Sequence, residues 1–238
     1  LLEICNLGSL KSKLLDLKDT NTRFDTKTLH KVAFEISNGM AYLEKLNIIH
    51  NDLATRNILL SSINYNEFTV KISDFGLSMK LNDIDSKLGY TIDNSYIPRP
   101  ILWLSPEALI NNMFSNKSDI WSFGIVLYEI GIYGDTPLYK TLDGNDFILS
   151  KDNIDEFKQM LINGLRHKLN GILPKYLESI MYSCWKLKTH ARPSFKDIIH
   201  ELNLKKMNKL SIKNKRPNIK NKRPNIKNKR PSIKNNIH

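Results

Sequence analysis

Three residues of the 238-residue chain are of the types that phosphoryl transfer from a nucleotide needs: Asp52, Asn57 and Asp74. That chemistry asks for positioning and charge neutralisation more than for covalent participation. A carboxylate must stand near the acceptor hydroxyl. Magnesium needs oxygen ligands, preferably carboxylate or amide. Asp52 lies in the polar loop "HNDLATRN", between a long helical pattern and a short apolar stretch that Asn57 opens. Asp74 lies in "SDFGLS", directly after a second apolar stretch, where Gly76 permits unusual backbone angles. Two neighbouring strands ending together would bring Asn57 and Asp74 to one metal. Each element alone is weak, since a lone Asp-Phe-Gly is common by chance.

The elements that must position these residues are legible as patterns. From Thr26 to Leu46 the apolar residues Leu29, Val32, Ala33, Ile36, Met40 and Leu43 recur at helical spacing. "NILL" and "FTVKI", separated by the polar "SSINYNE", read as a small strand pair. Residues 77–100 show no stable period and read as one long loop, a feature that is usually functional inside a compact domain. Helical patterns resume at Asp119–Ile130, Asp155–Asn163 and Leu177–Trp185. In "SFKDIIHEL", Ser194 and Asp197 have the spacing of a capping box. The expected fold class is mainly α with short β-strands.

Composition excludes several function classes. The formal net charge is +12, yet 13 Lys and Arg and no acid fall between Lys205 and His238. The remainder is nearly neutral, so the high pI is no argument that the folded part binds nucleic acid. Two cysteines, Cys5 and Cys184, form no disulfide or zinc pattern and suit a reducing intracellular setting. The most apolar run, Ile120–Tyr133, contains Glu129 and is too short to cross a membrane; it reads as a buried core helix. From Ile212, "IKNKRPN", "IKNKRPN" and "IKNKRPS" repeat in tandem over 212–232. One apolar residue and one proline per repeat exclude a coiled coil, so 205–238 is expected to be a disordered basic tail. Two readings of the tail stay open: a solvated low-complexity expansion, or a segment attracted to an acidic partner, nucleic acid or nuclear import machinery.

Taken in order, "HNDLATRN", "SDFG", "WLSPEAL" (103–109), "SDIWSFGIVLYEI" (118–130) and "CWKLKTHARPSF" (184–195) resemble the protein kinase superfamily, its tyrosine kinase branch. The resemblance covers roughly Leu1 to Leu204. It implies the helical C-terminal lobe of a protein kinase over 11–204, a hinge over 1–10 and an activation segment over 74–107. It implies ATP and Mg2+ as cofactors and a protein as acceptor. Asp52 would be the base, with Arg56 and Asn57 beside it in the catalytic loop, and Asn57 and Asp74 the magnesium ligands. Leu2 would be the gatekeeper, the backbones of Glu3 and Cys5 would bind adenine, and Leu59 would pack beneath it. Gly8 would begin the turn out of the hinge. Glu107 would pair with Arg192, Asp119 would hold the loop backbone, and His50 and Phe75 would stack between the lobes. In isolation "LLEICN" reads equally as an ordinary strand end.

Position by position, the resemblance favours a tyrosine acceptor. Serine/threonine kinases typically carry Lys two residues after the base; here that residue is Ala54, and the basic residue is Arg56. Pro100 and Trp103 match the tyrosine kinase docking segment, whereas Leu102 departs from the usual Lys or Arg. Asn51 stands where Arg is usual, and cannot offer a charged fork to a phosphate on Tyr90 or Tyr96. No glycine-rich loop, strand Lys or helix Glu precedes the hinge, so the N-terminal β lobe is expected to be absent from this chain. The alternatives are a pseudokinase or interaction module, a serine/threonine kinase of the tyrosine-kinase-like branch and, weakest, a nucleic-acid-binding protein. The expected setting is cytoplasmic, with nuclear entry through the tail and a membrane anchor upstream of Leu1 left open.

Overall fold

The apolar run around Ile120–Tyr133 becomes the axis of the molecule. The computed structural model describes residues 3–64, 67–82, 90–91, 99–141, 143–169 and 171–214. Its elements are α1 (Leu10–Asp19), α2 (Thr26–Lys45), β1 (Ile48–Ile49), β2 (Ile58–Asn64), β3 (Glu67–Ile72), β4 (Met79–Lys80), β5 (Tyr90–Thr91), α3 (Pro106–Asn111), β6 (Met113–Phe114), α4 (Asn116–Gly131), α5 (Ile154–Ile162), α6 (Lys175–Cys184) and α7 (Phe195–Asn214). Helix α4 is buried at every position from Ser118 to Gly131, as expected of a helix apolar on all sides. A capping box of Ser115 and Ser118 starts it. Its glycine at 124 is required by packing: a Cβ there would lie 2.4 Å from the Trp185 indole nitrogen.

Helix α2 presents Val32, Ala33, Ile36, Met40 and Leu43 to the core, the stripe its sequence spacing predicts. Asp25 caps it by accepting the Thr28 N–H at 2.7 Å. The Ser194–Asp197 capping box is present at α7, with reciprocal bonds of 2.9 and 3.1 Å. Helix α1 is not among the expected elements. Ser9 caps it, and Leu10 and Leu14 bury the face that Leu17 extends.

Among the described residues the strands pair two by two: β1 with β4, β2 with β3 and β5 with β6, all antiparallel. The β2–β3 pair is the one expected from "NILL" and "FTVKI". Strands β4 and β5 fall inside 77–100, which the sequence reads as plain loop; each gains order by laddering onto a partner distant in sequence. Residues 83–89 and 92–98, including Tyr96, lie outside the described residues. Helix α7 runs through Asn214, past the expected tail boundary at 204. Leu, Lys and Met favour helix there, and the first proline of the repeats is Pro217. The rest of the repeats lie outside the described residues. No helix among the described residues is long and apolar enough to cross a membrane.

Candidate active site

The loop between β1 and β2 rests on helix α4 and is held by two buried carboxylates. Asp119 accepts the backbone N–H of His50 at 2.7 Å and of Asn51 at 3.0 Å, the contact the resemblance implies for it. Glu129 accepts the Thr55 N–H at 3.0 Å, the Thr55 hydroxyl at 2.8 Å and the Trp103 indole N–H at 3.1 Å. At 1.5 Å per residue the two carboxylates stand about 15 Å apart along the helix. Burial pushes the Asp119 carboxyl up to about 7, against the pull of its two N–H donors. Burial also raises Glu129, opposed by the Thr55 and Trp103 hydrogen bonds and by Arg56. Glu129, Thr55 and the indole of Trp103 form a unit that no sequence motif announces. The signal was a lone acid inside an apolar run, which must find partners if buried.

Between these anchors sits Asp52. One carboxylate oxygen is ion-paired with Arg56 from the next turn of the loop. The other accepts from the Asn57 side-chain amide at 2.7 Å, and that same nitrogen donates to the Asp52 carbonyl at 2.8 Å. The Arg56 guanidinium lies 4.7 Å over the Trp103 ring. The loop's three expected chemical residues therefore form one hydrogen-bonded unit, bounded on one side by an aromatic wall.

Asn57 stands directly before β2, and Asp74 follows β3 by two residues. Ile58 stands opposite Ile72, and the Ser73 N–H and hydroxyl both donate to the Asn57 carbonyl at 2.9 Å. The ladder thus closes beside both candidate metal ligands, as two strands ending together would require. The left-handed backbone lies at Asp74 itself, φ 61°, rather than at Gly76, where the sequence placed the unusual angles. Gly76 is used for closeness: its N–H reaches the Asp74 carboxylate at 3.3 Å, and a Cβ would lie 3.2 Å from that oxygen.

His50 joins the two halves of the site. Its ring accepts the Asp52 N–H on Nδ1 at 3.3 Å and donates from Nε2 to the Ser73 carbonyl at 3.0 Å. Burial lowers its pKa, which favours the neutral ring that this bonding pattern requires. Phe75 lies against it, centroids 5.2 Å apart and tilted. Asn51 is buried in the left-handed region, φ 65°, and its amide donates to the Leu77 carbonyl at 3.0 Å. The Glu107–Arg192 pair is bidentate, 2.6 and 2.8 Å, and Arg192 also donates to the carbonyls of Lys186 and Lys117.

In the segment that precedes α1, Leu7 and Gly8 hydrogen-bond Leu60 of β2, and Ser9 bridges Leu59. Glu3 pairs with Lys71 at 3.0 Å, and Cys5 is a half-buried free thiol. The segment 3–9 therefore reaches the strand that carries Leu59, with Gly8 at φ 71° turning the chain into α1. Leu2 lies outside the described residues.

The donor set fits magnesium better than a metal held by protein alone. Among the described residues no three His, Cys, Asp or Glu side chains gather as ligands. An amide and a carboxylate are the small set magnesium takes when it keeps waters and nucleotide phosphates. Asn57 commits its nitrogen to Asp52, which leaves its carbonyl oxygen for a cation.

Comparison with known proteins accords with this geometry. The family model described as protein tyrosine and serine/threonine kinase matches residues 1–202. The tyrosine-protein kinase FRK of Homo sapiens is 36% identical over 196 residues, covering 82% of this chain and 35% of that protein. The megakaryocyte-associated tyrosine-protein kinase of Rattus norvegicus is 34% identical, covering 81% and 37%. Ephrin type-A receptor 6 of Rattus norvegicus is 39% identical, covering 71% and 14%. The aligned part thus spans little more than a third, or less, of these relatives' lengths. This chain belongs to the protein tyrosine and serine/threonine kinase family, as a kinase domain related to tyrosine kinases.

Proposed function

We propose that the chain forms the catalytic lobe of a protein kinase that moves the γ-phosphoryl group of ATP to a tyrosine hydroxyl of a protein. The observation that carries this reading is the seat of Asp52: its carboxylate is held by Arg56 and Asn57, and its backbone by His50. A base must be fixed in place and hydrogen-bonded so that it meets the acceptor proton at the right geometry. Magnesium and ATP, when bound, supply the transferable group and neutralise its charge. Asn57 and Asp74 would hold the metal, and Leu59 with the backbones of Glu3 and Cys5 would take the adenine. Asp52 would orient the acceptor hydroxyl and take its proton.

A tyrosine acceptor is supported by the wall beside Asp52. Ala54 is fully buried and puts no basic side chain two residues after the base. The cation beside Asp52 is instead Arg56, seated on Trp103. The test is a Mg-ATP assay of the full-length protein with matched Tyr, Ser and Thr peptides. Transfer to tyrosine, reduced about a hundredfold or more by Asp52→Asn, is the expected result. Equal rates for the wild type and Asp52→Asn would overturn the base assignment, and preference for Ser or Thr would overturn the acceptor.

A further inference from the structure

The face of α7 that enters the core changes character where the core ends. Phe195, Ile198 and Leu202 are buried at helical spacing, and Leu202 is the last buried apolar residue among those described. Lys205, Lys206, Lys209 and Lys213 continue the same stripe at three- and four-residue steps. Lys205 and Lys206 are exposed, as is Leu204, while the helical backbone runs on to Asn214. The helix therefore continues past the core as a basic arm and leads straight into the repeats. Each repeat carries three cations, one isoleucine and one proline.

Thirteen cations without an acid need an anion from elsewhere. The remainder of the chain is nearly neutral and has no acid surplus to meet them, and a second copy would bring the same charge. Between Lys205 and His238 there is no Phe, Tyr or Trp, so base stacking, the mark of single-strand binding, has no platform. A helix lying on a membrane needs a broad apolar face, whereas each repeat offers one isoleucine followed directly by lysine. The repeats over 212–232 can span up to about 70 Å. A small folded domain is only ~30 Å across. A charge pattern repeated over that length matches a linear polyanion, and duplex nucleic acid presents one phosphate charge per ~1.7 Å of its axis.

We propose that the basic arm of α7 and the three repeats bind duplex nucleic acid through its phosphate backbone, without reading base sequence. Lys and Arg pair with phosphate oxygens and release condensed counterions. The repeats act as equivalent units, each neutralising up to three phosphates. Binding tethers the kinase domain and raises its effective concentration toward proteins held on the same duplex. The binding step stands independently of the kinase reading.

The test is fluorescence anisotropy on the full-length protein, without ATP. The probes are two DNA duplexes of unrelated sequence and an RNA duplex, each of roughly 24 base pairs, and one of the DNA strands alone. Polyglutamate and vesicles of phosphatidylcholine with phosphatidylserine are added as competitors. All three duplexes should bind with Kd values within about fivefold, and the single strand more weakly, because the backbone charge is the shared ligand. Between about 50 and 200 mM salt the affinity for the duplexes should fall a thousandfold or more. Lys213→Gln, Lys215→Gln and Arg216→Gln together should reduce the slope of log affinity against log salt by about 2.7, and the equivalent changes in each further repeat by the same amount. These variants keep the chain length and every residue of α7 that the core holds. Equal affinity in the wild type and the variant with all three repeats changed would overturn the proposal. So would a strong preference for one duplex sequence, tighter binding of the single strand, or stronger competition by vesicles or polyglutamate than by duplex at equal charge. A loss confined to one repeat would overturn the equivalence of the three.

Discussion

The two ends of helix α4 hold the same loop with the same functional group, but in different ways. Asp119, in the first turn, binds two backbone N–H groups beside Asp52. Glu129, in the last turns, binds Thr55 and reaches across to the Trp103 side chain. A carboxylate is favoured near a helix N-terminus and disfavoured near its C-terminus. Asp119 therefore sits with the helix dipole and Glu129 against it. What keeps Glu129 in place is three converging donors, one of them the Trp103 indole. Asp119 fixes where the backbone before Asp52 stands; Glu129 ties Thr55 of the same loop to the Trp103 indole.

The largest expected effect comes from removing the first anchor. Asp119→Ala strands two buried N–H groups at about 1–3 kcal/mol each. Urea denaturation should show a loss of several kcal/mol, and phosphoryl transfer should fall about a hundredfold or more, mainly in kcat. A stable variant with normal kcat would remove the loop backbone from the account of the site.

Next in size is the second anchor, where a conservative substitution sharpens the comparison. Glu129→Leu leaves the donors of Thr55 and Trp103 unpaired and should cost about 2–4 kcal/mol. Glu129→Gln can keep all three contacts: its oxygen accepts the Thr55 and Trp103 N–H groups, and its NH2 donates to the Thr55 hydroxyl. It should lose about 1 kcal/mol or less. In the peptide assay Glu129→Leu should raise KM more than it lowers kcat, the reverse of Asp119→Ala. If both Glu129 variants are equally damaged, the negative charge matters rather than the hydrogen bonds.

The same two residues differ in how plainly the sequence reveals them. Asp119 is recognisable because it stands in "SDIWSFG", and its role follows from the resemblance. Glu129 is visible only as an acid in an apolar run, and nothing in that run names Thr55 or Trp103 as its donors. Helices α2, α4, α5, α6 and α7 are legible because their burial follows local spacing. Strands β4 and β5 are not, because each is only two residues long and depends on a partner distant in sequence. Asp74 and Gly76 show the limit in another way: glycine suggests the strained angle, but the strand end imposes it on the aspartate.

A smaller effect tests the electrostatics of the first anchor. The Asp119 pKa is about 7 in the fold against 3.8 ordinarily, so between those values the folded state holds the extra proton. Its contribution to stability is fully present below about pH 4 and is lost as pH rises toward 7. His167 acts oppositely: burial lowers it from 6.5 to about 3, so its contribution is present above pH 6.5 and lost as pH falls. The two offset each other in the wild type. The difference in unfolding free energy between the wild type and Asp119→Asn cancels His167 and should slope downward from pH 4 to 7. A flat difference would mean that the two N–H donors fully offset burial at Asp119.

The smallest effect concerns the side of the loop that α4 does not touch. There Asn51 donates to the Leu77 carbonyl, while Ser78 donates to the His50 carbonyl at 3.1 Å. With the β1–β4 ladder, these bonds fasten residues 77–80 to the loop by uncharged contacts. Asparagine tolerates the left-handed angle at position 51 better than most residues. Asn51→Ala should lose about 1 kcal/mol and leave any stimulation by phosphorylation unchanged. Asn51→Arg should lose at least as much, because a long side chain must leave the buried Leu77 contact. It should nevertheless gain stimulation when the activation segment is phosphorylated at Tyr90, since a cation then faces the phosphate. The quantity to measure is the ratio of phosphorylated to dephosphorylated activity in the full-length protein. A ratio equal in the wild type and Asn51→Arg would show that the anchors on α4 and the Leu77 contact already hold the loop in its working position, with nothing left for a phosphate to add.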